Sequence, residues 1–233
     1  MAEPVADEHP LVSSIMLVGY MSIKDILAGI RCFQEQTYPN KELIIVNNAK
    51  TQFAASELNI RAEKDVFLVD TPECVPAGQA RNFGITAANG RILAQFDANY
   101  WFDKDRLSLQ ISSLIQHEAH VSVLPSVLNY SYASGIASIF TSPGKVVFGT
   151  MVFIRPRDID YPPTIKGEEY GILQKLSQAK FKIISVDKPE LACRLCLTLR
   201  EEVLKIAEER GLQKGQSAII RAMIKARRKW ATS

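Results

Sequence analysis

The sequence predicts an α/β protein whose mixed, mostly parallel sheet is flanked by helices. Short apolar runs alternate with stretches of helical periodicity over the first hundred residues, as in successive strand–helix–strand units. Two of the runs, 11–18 and 42–46, are apolar enough to be buried on both faces, which is typical of central parallel strands. An apolar content of 47% indicates a globular chain with a substantial core.

The predicted elements follow a regular order down to residue 97. The strands are 11–18, 42–46, 66–69 and 92–96, and the helices are 23–36, 52–61 and 80–88, with Gly90 as the C-cap of the third. Beyond residue 97 the pattern is less regular. There we expect helices at 106–118 and 168–180, and strands at 121–127, 145–154 and 181–186.

Asp97 follows the apolar run 92–96 directly. Open α/β sheets bind their ligands beyond the carboxyl ends of the strands, so a carboxylate at this point is a candidate for ligand binding. Asp is also common at strand ends and helix N-caps, and Asp97 could instead only cap the next segment.

The charge distribution divides the chain into two modules. Residues 191–233 contain ten Lys and Arg against four Asp and Glu, a net charge of +6, and the rest of the chain carries −3. We therefore expect a polar tail at 1–10, a main domain at 11–190 and a basic extension at 191–233. The tail has no signal-peptide pattern, and no apolar run approaches the roughly 20 residues that span a bilayer, so the expected location is the cytoplasm.

Several segments resemble the nucleotide-binding half of family-two glycosyltransferases, which have the GT-A fold. They are SSIMLVGY near the start, QTYPNKELIIVNNAK around residue 42, the stretch 76–107, and GEEY at 167–170 with the helix and strand after it. In the family pattern, a strand ends in two aspartates, an Ala-Arg-Asn helix follows, the next strand ends in Asp-x-Asp, and a Glu-Asp pair opens a later helix. The resemblance covers about residues 11–190. It implies inverting transfer of a sugar from a nucleotide diphosphate to an acceptor hydroxyl.

The resemblance also implies a divalent cation, Mn²⁺ or Mg²⁺, on the diphosphate. In the family the Asp-x-Asp motif binds it, because these hard cations prefer oxygen ligands. The motif here is Asp97-Ala98-Asn99, so Asp97 is expected near the ribose and the metal. Asn99 offers a neutral amide in place of the main metal-binding aspartate, and we expect weaker metal binding. Asp103 and Asp105 are expected to begin the helix at 106.

The other implied site residues also depart from the family pattern. Asn47 and Asn48 replace two aspartates that recognise the nucleotide base; an amide still accepts a hydrogen bond and can also donate one. Glu169 replaces an aspartate that acts as general base, with Glu168 beside it. Both glutamates could instead only fill the first turn of a helix, where acidic residues are favoured. Arg81 is expected to face the diphosphate, or else to be an exposed helix residue.

These departures leave two functions open for the main domain. It is either a divergent transferase that binds a nucleotide-sugar donor and an unidentified acceptor, or a GT-A scaffold that has lost turnover and keeps a binding, structural or assembly role. Residues 108–165 are expected to line the acceptor side, although they contain no motif that identifies the acceptor.

The basic extension is predicted to form a small strand-helix-helix segment. Its elements are a strand at 194–199 and helices at 201–210 and 216–229. This order resembles the ribbon-helix-helix fold, in which two copies pair their strands in the DNA major groove, with Arg194, Cys196 and Thr198 outward here. The alternatives are a homodimerisation module without nucleic acid, and a plain helical extension whose basic run 225–229 contacts an anionic membrane surface.

Overall fold

The computed structural model describes residues 9–19, 21–49, 56–58, 64–72, 74–131 and 137–196. Within these ranges the strands are β1 (Val12–Val18), β2 (Lys41–Asn47), β3 (Val66–Asp70), β4 (Ile92–Gln95), β5 (Tyr100–Phe102), β6 (Val121–Val123), β7 (Ser126–Ser131), β8 (Ala137–Thr141), β9 (Val152–Ile154), β10 (Ile183–Ser185) and β11 (Ala192–Cys196). The helices are α1 (Ile23–Gln34), α2 (Ala77–Ala87), α3 (Arg106–Gln116) and α4 (Glu168–Gln178).

The strands form a larger and a smaller sheet. The larger has seven strands in the order β10-β6-β9-β4-β1-β2-β3, and the smaller has four in the order β5-β11-β7-β8. β1 pairs in parallel with β2 and β4, and β2 pairs in parallel with β3. β9 runs antiparallel between β4 and β6. The predicted class, a mixed and mostly parallel sheet flanked by helices, is therefore confirmed.

The core lies on both faces of the larger sheet, because successive strand residues point to opposite sides. Met16 of β1 packs in the same cluster as Phe33 of α1, whereas Ile15 packs in the cluster that contains Ala80 of α2. α2 approaches β1 and β2 closely at Gly84, where a Cβ would lie 2.8 Å from the Cγ2 atom of Ile15. Both faces are thus covered, which explains why the runs Ile15–Val18 of β1 and Leu43–Val46 of β2 are apolar at every position.

Two predicted strands are divided or shortened in the structure. Residues 121–127 are not one strand, because β6 ends at Val123 and β7 begins at Ser126 in the other sheet. Pro125 lies between them and has no N–H group to continue a ladder. Of residues 145–154 only Val152–Ile154 is extended, since Gly149 has a φ of +86° that a strand does not allow.

Gly90 is not the C-cap of α2, because the helix already ends at Ala87. Gly90 instead packs against β1: its N–H donates to Oγ of Ser13 at 2.7 Å, and a Cβ on it would lie 2.7 Å from the carbonyl oxygen of Leu11. The short strands β5 and β8 were not predicted. Of the predicted helix 52–61 only 56–58 is described, and it is a turn.

β11 belongs to the smaller sheet. It pairs antiparallel with β5 and parallel with β7, so Cys193 and Arg194 have strand neighbours on both sides. The first residues of the predicted ribbon strand therefore pair with strands of the main domain. A module boundary at 190/191 stays a prediction. The rest of the extension, 197–233, lies outside the described residues, together with the expected homodimer, DNA and membrane contacts.

Candidate active site

Arg81 lies at the centre of three carboxylates at the carboxyl edge of the larger sheet. Its Nη1 and Nη2 atoms donate to Oδ1 and Oδ2 of Asp97, each over 3.1 Å. Nη2 also donates to Oε1 of Glu169 at 3.2 Å, and Nε donates to Oε1 of Glu168 at 3.4 Å. We call these four residues the Arg81 cluster. The cluster is well shielded from water, since the side chains of Asp97 and Glu169 are each 17% exposed and the others less.

Three elements bring the Arg81 cluster together. Arg81 is in α2, Asp97 follows β4, and the two glutamates open α4. α2 and α4 meet at Gly78, where a Cβ would lie 1.8 Å from the carbonyl oxygen of Pro162 and 3.1 Å from Cβ of Glu168. A side chain at residue 78 would therefore push α2 away from α4 and separate Arg81 from the glutamates.

The Arg81 cluster contains more negative than positive charge, because one guanidinium faces three carboxyl groups. Burial raises the pKa of Glu169 to about 7, with Arg81 opposing the shift and the charges of Asp97 and Glu168 adding to it. Burial acts to lower the pKa of Arg81, but the charges of Asp97 and Glu169 outweigh it and raise that pKa well above its ordinary value. Glu169 is therefore suited to a change of protonation near neutral pH.

A loop packs over the carboxylate of Asp97. Gly149 in this loop has a φ of +86°, and a Cβ on it would lie 3.2 Å from Oδ2 of Asp97 and 3.0 Å from Cε2 of Tyr100. Gln95 holds the loop, because its Oε1 accepts from the N–H groups of Gly149 at 3.0 Å and Met151 at 3.3 Å. Glycine is required at 149 for its backbone conformation and for the space it leaves.

Tyr100 connects this part of the edge to the smaller sheet. Its hydroxyl accepts from Nε and Nη2 of Arg194 at 3.0 and 2.7 Å, and donates to the carbonyl oxygen of Phe148 at 2.9 Å. Burial raises the pKa of Tyr100 to about 12, although the Arg194 charge opposes the shift. Arg194, which the ribbon-helix-helix resemblance points outward, is thus bonded to a residue of the main domain.

Asn48 is bonded to the segment that follows β3. Its Oδ1 accepts from the Val75 N–H at 2.9 Å and the Thr71 hydroxyl at 3.0 Å, and its Nδ2 donates to the Val75 carbonyl oxygen at 2.9 Å. Only an amide can bond both backbone groups of Val75, because a carboxylate has no hydrogen to donate. This accounts structurally for Asn48 in place of an aspartate. Recognition of a nucleotide base by Asn48 stays a prediction.

Asn47 is fully buried at the end of β2 and bonds to Asp70 at the end of β3. The two residues are register partners, and Nδ2 of Asn47 donates to Oδ1 of Asp70 at 2.7 Å. Asp70 is exposed and was not among the predicted site residues. The signal that identified Asp97, a carboxyl group directly after an apolar strand, was also present at Asp70.

Asn99 is exposed in the turn between β4 and β5. No group of three or more His, Cys, Asp or Glu side chains arranged to hold a metal ion occurs in the described part of the chain. The donor chemistry nevertheless fits a divalent cation, because Asp97 and Asn99 offer hard oxygen ligands and the Arg81 cluster has excess negative charge. Asp103 and Asp105 precede α3, as expected, and Asp105 is its N-cap residue.

The structure thus joins four of the predicted site residues in one cluster and places the other three along the same sheet edge. β1 lies between β4, which leads to Asp97, and β2, which ends at Asn47. A cleft of about 680 Å³ at the opposite edge, lined by Gly90, Arg155 and Phe181 among others, contains none of the seven. The described helices include none that is both long enough and apolar enough to cross a membrane.

The chain matches a protein-family model described as glycosyl transferase family 2. The match covers residues 14–137, which is more than half of the chain. It includes Asn47, Asn48, Arg81, Asp97 and Asn99.

Curated relatives of the chain come from Escherichia coli and Haemophilus influenzae. One is the UDP-Glc:alpha-D-GlcNAc-diphosphoundecaprenol beta-1,3-glucosyltransferase WfaP of E. coli, 28% identical over 142 residues that cover 60% of this chain and 55% of that protein. Another is an uncharacterised glycosyltransferase of H. influenzae, 31% identical over 110 residues that cover 46% of this chain and 44% of that one. The chain therefore spans about half the length of these relatives.

Solved glycosyltransferase structures share the fold. The mannosyltransferase PcManGT from Pyrobaculum calidifontis, in complex with GDP-Man and Mn²⁺, matches with a TM-score of 0.62 and 14% identity over 94% of this chain and 66% of that one. S. aureus TarS in complex with UDP matches with a TM-score of 0.64 and 14% identity over 79% of this chain and 60% of that one. The GT-A fold expected from the sequence is confirmed.

Proposed function

The chain belongs to glycosyl transferase family 2, and we propose that it transfers a sugar from a nucleotide diphosphate to an acceptor hydroxyl with inversion at the anomeric carbon. The observation that carries the proposal is the Arg81 cluster, in which Glu169 combines a shielded position with a pKa of about 7. A carboxyl group with such a pKa is suited to exchange protons near neutral pH. The cluster also lies beyond β4, at the edge where open α/β sheets bind ligands.

Glu169 is the general base of this proposal. Its carboxylate takes the proton of the acceptor hydroxyl as that oxygen attacks the anomeric carbon of the donor. The bond from this carbon to the diphosphate oxygen breaks, and the nucleotide diphosphate leaves with the electron pair. Glu168 contacts Nε of Arg81 over the longer distance of 3.4 Å and serves to orient the guanidinium.

Arg81 positions the acidic groups. Its two η-nitrogens hold both oxygens of Asp97 in a bidentate pair, and Nη2 also fixes Glu169. This shared nitrogen keeps the proposed base next to the residue that faces the ribose and diphosphate. Arg81 reaches the diphosphate only if a donor displaces one of these contacts.

Asp97 and Asn99 would hold a divalent cation, Mn²⁺ or Mg²⁺, when the donor is bound. Such a cation supplies positive charge against the developing charge of the leaving diphosphate. The neutral amide of Asn99 makes this site weaker than one with two carboxylates, so we expect the cation to bind together with the nucleotide.

The name of the E. coli relative WfaP favours a UDP-sugar as donor and a lipid-linked saccharide diphosphate as acceptor for this chain as well. The donor is tested by thermal unfolding with UDP, GDP, CDP and ADP, each with and without Mn²⁺. A nucleotide at 100 times its Kd should add about 2.7 kcal/mol to the free energy of unfolding and raise Tm by roughly 5–10 °C. The absence of a shift with every nucleotide, with and without Mn²⁺, would overturn the proposal.

A catalytically inactive GT-A scaffold is the second candidate, and one feature favours it. Both oxygens of Asp97 are bonded to Arg81, and Asn99 carries no charge, so a metal at the motif would have to share the Asp97 carboxylate with the guanidinium. The scaffold would bind a nucleotide sugar without hydrolysing it or transferring its sugar. Release of UDP from the donor that binds most tightly distinguishes the two functions.

A further inference from the structure

The cleft of about 680 Å³ lies at the edge of the larger sheet opposite to the Arg81 cluster, where β4 begins and β9 ends. Asp97 follows the end of β4 and Arg91 precedes its start, so roughly 20 Å of extended chain separates the two edges. A ligand in this cleft is therefore too far from Glu169 to take part in the proposed sugar transfer.

Basic residues dominate the charge of this cleft. Its lining contains three arginines, Arg91, Arg155 and Arg157, and one acidic residue, Asp158, which gives a net charge of +2. Residues 1–190 as a whole carry −3, so the cleft is a positive site in an acidic domain. Within the ranges that the structure describes, neither Arg155 nor Arg157 forms an ion pair with a carboxylate. We call this site the arginine cleft.

The backbone places Arg91 and Arg155 side by side. The antiparallel register of β4 and β9 ends with the pair Ile92 and Ile154, and the N–H of Arg155 then donates to the Arg91 carbonyl oxygen at 2.8 Å. Like charges on directly opposite strand residues repel each other. An anion bound beside the two guanidinium groups would offset this repulsion, so the cleft is suited to a negatively charged ligand.

Arg155 is held in place at the wall of the arginine cleft. Its Nη1 donates to the carbonyl oxygen of Ala88 at 2.7 Å, whereas its Nε and Nη2 have no hydrogen-bond partner among the described residues. These two nitrogens form one side of the planar guanidinium, and their parallel N–H groups match two oxygens of a phosphate. Arg157 is exposed and supplies a second guanidinium at the same cleft.

The rest of the lining is largely apolar and includes Ile154, Ile159 and Phe181. A cleft of this volume can enclose a small organic molecule. We propose that the arginine cleft binds a phosphate ester, with the phosphate on Arg155 and Arg157 and the organic group against the apolar lining. A soluble phosphate ester and the headgroup of a phospholipid share this chemistry. The inference does not depend on the proposed function.

Arg155→Gln combined with Arg157→Gln removes both guanidinium groups. Titration of phenyl phosphate with the full chain, followed by ³¹P NMR, tests the soluble source, and this double variant should bind at least about tenfold more weakly than the native protein. Lys24→Gln combined with Lys104→Gln is the matched control, because it removes the same charge from exposed lysines outside the cleft and should leave the affinity unchanged. Arg157→Gln alone alters only an exposed side chain, so it keeps the fold and should weaken binding at least about threefold.

Co-sedimentation of the same chains with phosphatidylcholine vesicles, with and without phosphatidylglycerol, tests the lipid source. A loss of phenyl phosphate binding in the arginine double variant supports a soluble ester, whether or not the vesicles also respond. If phenyl phosphate does not bind, weaker sedimentation with phosphatidylglycerol vesicles in the arginine double variant than in the lysine double variant supports a lipid headgroup. If the two double variants behave alike in both assays, the inference is overturned. The proposed function is unaffected by that outcome, because both variants keep every residue of the Arg81 cluster.

Discussion

The carboxyl edge of the larger sheet has two ends that satisfy their polar groups in different ways. At the β2 end, the amide of Asn48 meets one N–H, one hydroxyl and one carbonyl, and each contact joins a donor to an acceptor. At the β4 end, the guanidinium of Arg81 is shared among three carboxyl groups that also repel one another. The first arrangement is complete without a ligand, whereas the second has excess negative charge.

This difference separates a structural role from a chemical one. The amide of Asn48 does not ionise, and each of its contacts joins a donor to an acceptor. Its loss therefore affects only the local backbone. A crowded acidic group changes protonation readily, as the pKa of about 7 for Glu169 illustrates. We therefore expect substitutions at the Arg81 cluster to affect turnover and pH dependence, and substitutions at Asn48 to affect stability alone.

Glu169→Gln should produce the largest effect. Removal of a general base costs about 10²- to 10⁴-fold in rate, because the acceptor proton is no longer taken up in the transition state. The rate is measured as release of UDP from the donor identified by the nucleotide panel. Glu168→Gln is the matched control, and it should retain more than a tenth of the native rate. A Glu169→Gln variant that is as active as this control would remove Glu169 from the mechanism.

Arg81→Met should give the next largest effect, on stability. It leaves three shielded carboxyl groups without their shared cation, and breaking a buried ion pair in this way costs about 3–5 kcal/mol. Urea unfolding at pH 8 measures the loss. Arg157→Met changes an exposed arginine at the opposite edge and should cost under about 0.5 kcal/mol. Equal losses in the two variants would contradict the central position of Arg81.

The stability of the native protein should depend on pH through Glu169. Its pKa is about 7 in the folded chain against an ordinary value of 4.5, so between these values the folded state keeps a proton that the unfolded state has lost. The free energy of unfolding therefore falls as the pH rises through this window and levels off above it. Glu169→Gln removes this loss and should be more stable than the native protein by ~2–3 kcal/mol at pH 8 and by little at pH 5. If the stability difference between Glu169→Gln and the native protein does not grow with pH, the pKa of Glu169 is not raised.

Asn48→Asp should have the smallest effect, and only on stability. The new carboxylate keeps the bonds from Val75 N–H and Thr71 but faces the Val75 carbonyl without a hydrogen, at a cost of about 1–3 kcal/mol. Thermal unfolding measures this loss. If Asn48→Asp instead strengthens UDP binding with little loss of stability, the structural role that we assign to the Asn48 amide is wrong.

Down to residue 97 the strands of the larger sheet and α2 could be predicted from the sequence, and beyond it α3, α4 and β10 could be, but most of the other short strands could not. β1 and β2 are seven residues each and contain apolar runs of four residues or more, so their pattern is long enough to identify. β5, β6 and β9 have three residues each, which is too short for any periodicity to show. The division between β6 and β7 depends on pairing in two different sheets, and nothing local specifies that pairing.

The sequence named the residues of the Arg81 cluster but not their contacts with one another. The family pattern identified Arg81, Asp97, Glu168 and Glu169 singly, but Arg81 and Glu169 are 88 positions apart in the chain. One guanidinium contacts all three carboxyl groups because α2 and α4 approach each other closely. A single sequence does not reveal this approach.

The titration of Glu169 is the most direct test of the difference between the two ends of the edge. Carboxyl ¹³C NMR of the full chain, with the resonance assigned by its loss in Glu169→Gln, follows this group alone. A midpoint near 7 is expected for Glu169. A midpoint near 4.5, the ordinary value for a glutamate, would contradict a crowded acidic cluster and with it the assignment of Glu169 as the base.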